Sequence, residues 1–180
     1  MSAEQSPVTR RATAFHAASH AVVYVLGDAF EVELVVIEDE TTSEGRTYGF
    51  TQTHPKQTRL DKLMLLSFAR AMAAGSVGEH IAGEVDGAIF DTGDFARTAE
   101  TCKAIGISDD NMIVLLYTNA QMEAKAVLQT NWPAVMELAE LLLVQGRVEG
   151  SDVRRIVQKN LTRTRRPIDR RRDARMPERA

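Results

Sequence analysis

The sequence lacks several features that would place it outside a reducing compartment or in a membrane. It contains one cysteine, Cys102, so no disulfide can form within the chain, and the prediction is a cytoplasmic location. No apolar run approaches the roughly 18 residues that a membrane-spanning helix needs. The chain also has no G-x-x-x-x-G-K-S/T phosphate loop, which excludes an ATPase of that class.

The remaining composition is that of a globular protein with a basic end. Hydrophobic residues make up 44% and charged residues 26% of the chain, and 180 residues are enough for one domain to bury a sizeable core. Residues 163–180 hold eight arginines against three acidic residues, a net charge of +5, which leaves about −8 on the rest. We therefore expect a flexible N-terminus at 1–8, one folded domain at 9–160 and an arginine-rich disordered tail at 161–180.

The arginine-rich tail could contact nucleic acid, an acidic partner or a membrane surface. No aromatic residue lies between its arginines to stack on bases, so nucleic acid is disfavoured as a partner.

Residues 11–27 predict a helix that carries two histidines on one face. The segment has no glycine or proline before Gly27, and its large apolar residues recur at helical spacings. His16 and His20 are four residues apart, so their side chains leave the helix one turn apart and could share a metal ion. The spacing alone is weak evidence for a metal site and is more typical of two histidines without a ligand role.

An export signal is an alternative interpretation of the same segment. Arg10 and Arg11 precede it, as in a twin-arginine signal, but the two histidines and the absence of a small-x-small cleavage site argue against export.

The rest of the sequence predicts a small sheet followed by helices, an α+β and mainly helical fold. Residues 31–39 and 46–53 predict the two strands of a β-hairpin. Three helices and a short last one follow, each with a capping residue or a glycine near its ends. Their expected limits are residues 61–82, with Thr58 or Asp61 as cap, then 111–129 capped by Ser108 or Asp109, 131–146 capped by Asn131, and 151–160.

The segment ATAFHAASHAVV resembles the AxHEAGHAVV helix of the FtsH-type ATP-dependent zinc proteases. In that family the two histidines bind zinc and the glutamate between them is the general base. His16 and His20 match the two ligand positions. Ala17 stands where the family has the glutamate, and Ser19 where it has a glycine.

Other segments resemble the same family in the same order. DTGDFARTAETCKAIG is similar to the family's TTGASNDLxxAT segment, and this resemblance implies that Asp94 is the third zinc ligand, with Asp91 as the rival. AMAAGSVGEHIAG resembles the GGRAAEELVFG helix, with Gly75 and Glu79 at matching positions. Glu79 could orient a ligand imidazole or pair elsewhere within the fold, whereas we expect His80 to be exposed. The closing helices also resemble the family, so the likeness covers about residues 9–160.

The resemblance implies a zincin-like first helix, a small sheet and a helical bundle that binds one Zn²⁺ on His16, His20 and Asp94. It implies a metallopeptidase acting on unfolded protein or peptide, with any ATPase supplied in trans, and self-association is a further expectation. No catalytic residue is assigned, because Ala17 cannot accept a proton unless Glu79 or Glu84 replaces the missing base. The alternative is a pseudopeptidase that binds peptides or a partner without turnover. Whether Ala17 is natural or engineered stays open.

Overall fold

A computed structural model of the protein describes residues 10–27, 29–37, 49–57, 61–85 and 91–164. It confirms the α+β, mainly helical class. The predicted turn at 41–45, Tyr48 and the alternative cap Thr58 lie outside the described residues, as do the N-terminal segment 1–8 and residues 165–180. The elements are α1 (Arg10–Leu26), β1 (Phe30–Ile37), β2 (Gly49–Pro55), α2 (Lys62–Ala82), α3 (Thr92–Ala104), α4 (Asp110–Gln145), β3 (Arg147–Glu149) and α5 (Gly150–Thr164).

The described strands form a three-stranded antiparallel sheet in the order β2-β1-β3. The predicted hairpin is confirmed, with Phe30 opposite Pro55 and Ile37 opposite Gly49. The third strand was not predicted, because its three residues alternate too briefly to give a signal. Since β1 lies in the centre, β2 is an edge of the sheet as described.

Helix α1 lies at the centre of the fold, between the sheet, α2 and α4. Its residues from Ala12 to Tyr24 are buried, except for a partly exposed His16. Its five alanines, Ala12, Ala14, Ala17, Ala18 and Ala21, are at most 1% exposed, and their small side chains let the neighbouring helices approach closely. A polar group on α1 is therefore held in a medium of low dielectric constant.

The helix ends at α2 follow the predicted capping residues. Asp61 accepts a hydrogen bond from the Met64 N–H at 2.8 Å, and Gly83 ends α2 with a positive φ of 72°. The prediction of two helices meeting at Asn131 is confirmed, because α4 consists of two helical segments joined at a kink where Asn131 has non-helical backbone angles, φ −113° and ψ 18°. The Asn131 amide donates to the Val127 carbonyl at 2.8 Å, a bond to the end of the first segment.

None of the helices in the described part of the chain is both long and apolar enough to cross a bilayer. The last helix continues to Thr164, four residues beyond its expected end at Asn160.

Candidate metal centre

Helices α1 and α3 bring three potential metal ligands together. His16, His20 and Asp94 each offer an atom within 4.8 Å of the others, and among the described residues they are the one such cluster. The His16 and His20 Nε2 atoms are 2.8 Å apart, and Asp94 Oδ2 lies 3.3 Å from each. We call these residues the three-ligand cluster.

Each member of the cluster is positioned by local structure. His16 and His20 follow one another by one turn of α1, and their rings meet edge to face. Asp91 caps α3 by accepting the Asp94 N–H at 2.9 Å, which places Asp94 in the first turn of that helix. The Thr98 hydroxyl donates to the Asp94 carbonyl at 2.9 Å, so the backbone of this turn is held at both ends.

Hydrogen bonds on the far side of each imidazole fix its orientation. His20 Nδ1 lies 2.6 Å from the Ala71 carbonyl, which can only accept, so this nitrogen carries the proton. His16 Nδ1 lies 2.9 Å from a Glu79 carboxylate oxygen and is assigned as a donor for the same reason. In the neutral rings, both Nε2 atoms therefore present lone pairs toward Asp94.

The cluster is electrostatically incomplete without a positive charge. Asp94 is 6% exposed, and its Oδ2 receives no hydrogen bond of normal geometry from the described residues. Burial lowers the pKa of His16, but the carboxylates of Asp94 and Glu79 outweigh it and raise that pKa to about 10. Burial raises the pKa of Asp94, yet the adjacent His20 and His16 hold it well below its usual range. Either a proton or a cation must therefore lie among these atoms.

The donor set fits a zinc ion. Two imidazole nitrogens and one carboxylate oxygen are its usual ligands in catalytic sites, and ligand atoms that share a tetrahedral zinc at about 2.0–2.1 Å lie roughly 3.4 Å apart. The two separations of 3.3 Å to Asp94 match this value. The 2.8 Å between the histidine nitrogens is shorter, so the two imidazoles would have to move apart slightly to share the ion.

Gly75 on α2 leaves the space in front of the two imidazoles open. A Cβ atom at this position would lie 2.5 Å from His20 Nε2 and closer still to His16 Nε2. Such contacts are far inside van der Waals distance, so even alanine would occupy the space in which the ligand atoms converge.

The three-ligand cluster opens into a cavity of about 180 Å³, which is small beside the sites that hold drug-sized molecules. Strand β2, α2 and α3 supply the remaining walls of this cavity. Its other lining residues are Gly49, Phe50, Thr51, Met72, Asp91, Gly93 and Arg97.

The other candidate residues are not positioned to act as the proton acceptor. Ala17 is 1% exposed, and its carbonyl accepts a hydrogen bond from the Thr51 hydroxyl at 3.3 Å. Glu79 pairs with His16, and Glu84 pairs with Arg11. Asp91 lines the cavity but caps α3, so the structure does not bring it into the three-ligand cluster. His80 is exposed, as predicted.

Sequence reasoning missed two residues that shape this cavity. Gly75 was matched to a motif, but its approach to the imidazoles was not foreseen. Arg97 was passed over, although its position three residues after Asp94 on a helix puts both on nearby faces. The three-residue spacing from Asp94 was therefore the sequence signal that could have identified Arg97.

No protein-family model matches the chain, and a search of the curated proteins finds no relative. The resemblance to FtsH-type proteases therefore rests on the motifs given above.

Proposed function

We propose that this chain is a zinc-binding domain of the FtsH-like metallopeptidase type, with peptide hydrolysis impaired by the alanine at position 17. The observation that carries the proposal is the convergence of His16 Nε2, His20 Nε2 and Asp94 Oδ2 on one point. Asp94 lies far from the two histidines in the sequence, and two nitrogen lone pairs that face a buried carboxylate call for a proton or a cation.

A zinc ion held there would polarise a bound carbonyl and lower the pKa of bound water. The chain's own contribution is to fix the ligands. Glu79 and the Ala71 carbonyl hold the two Nδ1 protons, which directs both Nε2 lone pairs inward. Asp94 supplies the negative charge that favours a cation over a neutral ligand.

Strand β2 could present an extended peptide to this site. It is an edge strand in the described sheet, and Phe50 and Thr51 of this strand line the cavity. A peptide that pairs with such an edge through backbone hydrogen bonds would pass the three-ligand cluster. Unfolded protein or peptide is therefore the substrate class that we propose, with any ATPase acting in trans.

The proposed impairment follows from where the carboxylates lie. A metallopeptidase needs a group that takes a proton from water and returns it to the leaving amine, and such help is worth typically 10²–10⁴-fold. Ala17 cannot do this. Glu79 is engaged with His16 and Glu84 with Arg11, so neither is free to replace it without breaking its own pair.

The test is the cleavage of casein by the purified chain and by Ala17→Glu, with Ala17→Gln as the matched control of equal size. We expect wild-type and Ala17→Gln activity near background, and a gain of about 10²-fold or more in Ala17→Glu that a chelator removes. Because Ala17 is buried, the shorter Ala17→Asp serves as a second variant. Zinc-dependent cleavage by the wild-type chain at the level of Ala17→Glu would show that the base is not missing.

A second candidate function is a pseudopeptidase that binds peptides or a partner protein without turnover. The same engaged carboxylates favour it. Zinc binding and peptide binding without cleavage in the wild type would support this candidate, and chelator-sensitive cleavage of casein would eliminate it. The cytoplasmic location and the self-association expected from the sequence stay predictions.

A further inference from the structure

Arg97 brings a positive charge to the same cavity as the three-ligand cluster. It follows Asp94 by three residues on α3, is exposed, and lines the cavity beside His16 and His20. Among the described residues no carboxylate forms an ion pair with its guanidinium. Burial raises the pKa of the Tyr24 hydroxyl, and a hydrogen bond with Thr53 and, more weakly, the charge of Arg97 act against that rise.

The start of α3 adds a second favourable feature for an anion. Gly93 lines the cavity in the first turn of this 13-residue helix, where backbone N–H groups have no acceptor within the helix. The positive end of the helix dipole lies at the same place. The helix start alone would not indicate a ligand, but here it adjoins an arginine and the three-ligand cluster, whose buried Asp94 Oδ2 has no hydrogen-bond partner and calls for a cation that an anion could then bind.

We propose that the cavity binds a carboxylate, held between the metal ion and the guanidinium of Arg97. This inference rests on the proposed metal site. Arginine presents parallel N–H donors that match a carboxylate, whereas a peptide bond within a chain brings no charge for it to pair with. The cavity of about 180 Å³ has room for a small organic acid or the last residue of a peptide. These are the two sources of the same chemical group.

Each acidic residue at or beside the cavity has a local partner. Asp94 would face the cation that the cluster binds, Glu79 accepts from His16, and Asp91 accepts the Asp94 N–H. Arg97 is the one arginine or lysine among the described residues that line the cavity, so it is the side chain that can pair with an incoming carboxylate. The absence of a general base at Ala17 agrees with a site that retains a ligand and does not hydrolyse it.

The test uses the full chain loaded with Co²⁺, whose visible absorption reports on its ligands. The probes are acetate, N-acetyl-alanyl-alanine with a free C-terminal carboxylate, and the C-terminal amide of the same dipeptide. Arg97→Gln is compared with Lys103→Gln, which removes the same charge from an exposed position further along α3. Arg97→Lys keeps the charge without the parallel donors.

We expect Arg97→Gln to weaken carboxylate binding about tenfold or more, Arg97→Lys to lie between, and Lys103→Gln to change it less than twofold. The amide should bind the wild type about as weakly as the acid binds Arg97→Gln. Tighter binding of the dipeptide than of acetate would identify a peptide C-terminus, and equal binding a small acid. Both results support the inference.

Equal binding of acid and amide, or equal affinities of Arg97→Gln and Lys103→Gln, would overturn the inference while leaving the metal site intact. The cobalt content of each variant separates the two proposals. If the wild type takes up no cobalt, the metal site itself is wrong and the carboxylate site falls with it.

Discussion

Two groups of histidine and carboxylate side chains stand out among the described residues, and one of these two has the arrangement of a metal site. The first is the three-ligand cluster of His16, His20 and Asp94. The second, which we call the sheet cluster, consists of Glu31, Glu33 and His54 on strands β1 and β2. Both bring imidazole nitrogens within 3.5 Å of carboxylate oxygens, so proximity alone does not distinguish them.

The sheet cluster is exposed, and each of its groups has a complementary partner. Its three side chains are 43–47% exposed. Arg154 donates to Glu31 at 3.0 Å and Gln52 to Glu33 at 2.6 Å, while His54 turns one ring nitrogen toward each glutamate. Water and neighbouring donors satisfy these carboxylates, so no cation is required.

The three-ligand cluster differs in burial and in the direction of its lone pairs. The Nδ1 atoms of His16 and His20 are both occupied from behind, which turns two Nε2 lone pairs and Asp94 Oδ2 toward one point away from water. Two nitrogen lone pairs and a carboxylate oxygen held this close need a proton or a cation between them. A metal site is thus recognised when ligand atoms without other partners face one point, and the types of residue present are not enough.

The largest expected effect is the loss of metal on removing any ligand of the three-ligand cluster. We expect purified wild-type protein to contain about one zinc per chain, and His16→Ala, His20→Ala and Asp94→Ala to contain almost none. His54→Ala, in the sheet cluster, should keep the wild-type content. The zinc content of each variant is measured by metal analysis after removal of loosely bound ions. Equal zinc loss in His54→Ala would show that zinc binding does not separate the three-ligand cluster from the sheet cluster.

A similarly large effect is expected from a single methyl group at Gly75. Its Cβ would enter the space in front of both imidazoles, so Gly75→Ala should abolish zinc binding without altering a ligand. Gly78→Ala is the control on the same helix, because its Cβ would meet the Ser19 side chain instead. We expect Gly78→Ala to be less stable to urea but to retain zinc. Zinc retained by Gly75→Ala would mean that the ligand atoms converge elsewhere.

An intermediate effect is expected from Glu79, which touches the site only through His16. Glu79→Gln keeps the size but weakens the hold on the His16 Nδ1 proton, and such orienting partners typically contribute 10–100-fold to metal affinity. Glu84→Gln is the matched control, because its partner Arg11 is exposed and does not touch the cluster. Competition with a coloured chelator measures both affinities, and equal values for the two variants would remove any orienting role for Glu79.

Local spacing predicts the placement of two of the three candidate ligands, although it does not by itself assign them a ligand role. The helix period puts His16 and His20 on one face whatever the rest of the fold does, and Asp61, Asp109 and Gly146 cap their helices through short-range hydrogen bonds. Asp94 is different, because it lies about seventy positions later and only the tertiary fold brings it to α1. The family resemblance identified Asp94 as the third ligand, whereas sequence spacing could not.

The features that sequence reasoning missed depend on contacts between elements. Strand β3 is too short for a pattern and exists because β1 offers it an edge. The closeness of Gly75 to the imidazoles follows from the packing of α2 on α1, which the periodicity of either helix cannot give.

The smallest expected effect is a pH dependence that separates the metal-free from the zinc-loaded protein. Without metal, the pKa of His16 is raised from 6.5 to about 10, because Asp94 and Glu79 outweigh its burial. The proton on His16 therefore stabilises the metal-free fold fully below pH 6.5, and this stabilisation is lost as the pH rises from 6.5 through about 10. The slope is at most about 1.4 kcal/mol per pH unit for one proton.

Zinc takes the place of that proton, so its binding should strengthen over the same range in which the metal-free fold weakens. We expect the difference in urea midpoint between zinc-loaded and chelated protein to be larger at pH 8.5 than at pH 6. The depressed pKa of Asp94 adds nothing to this change, because its stabilisation is lost only in acid, below about pH 4. His54→Ala should reproduce the wild-type difference. An equal difference at both values of pH would show that zinc and the His16 proton do not compete for the same atom.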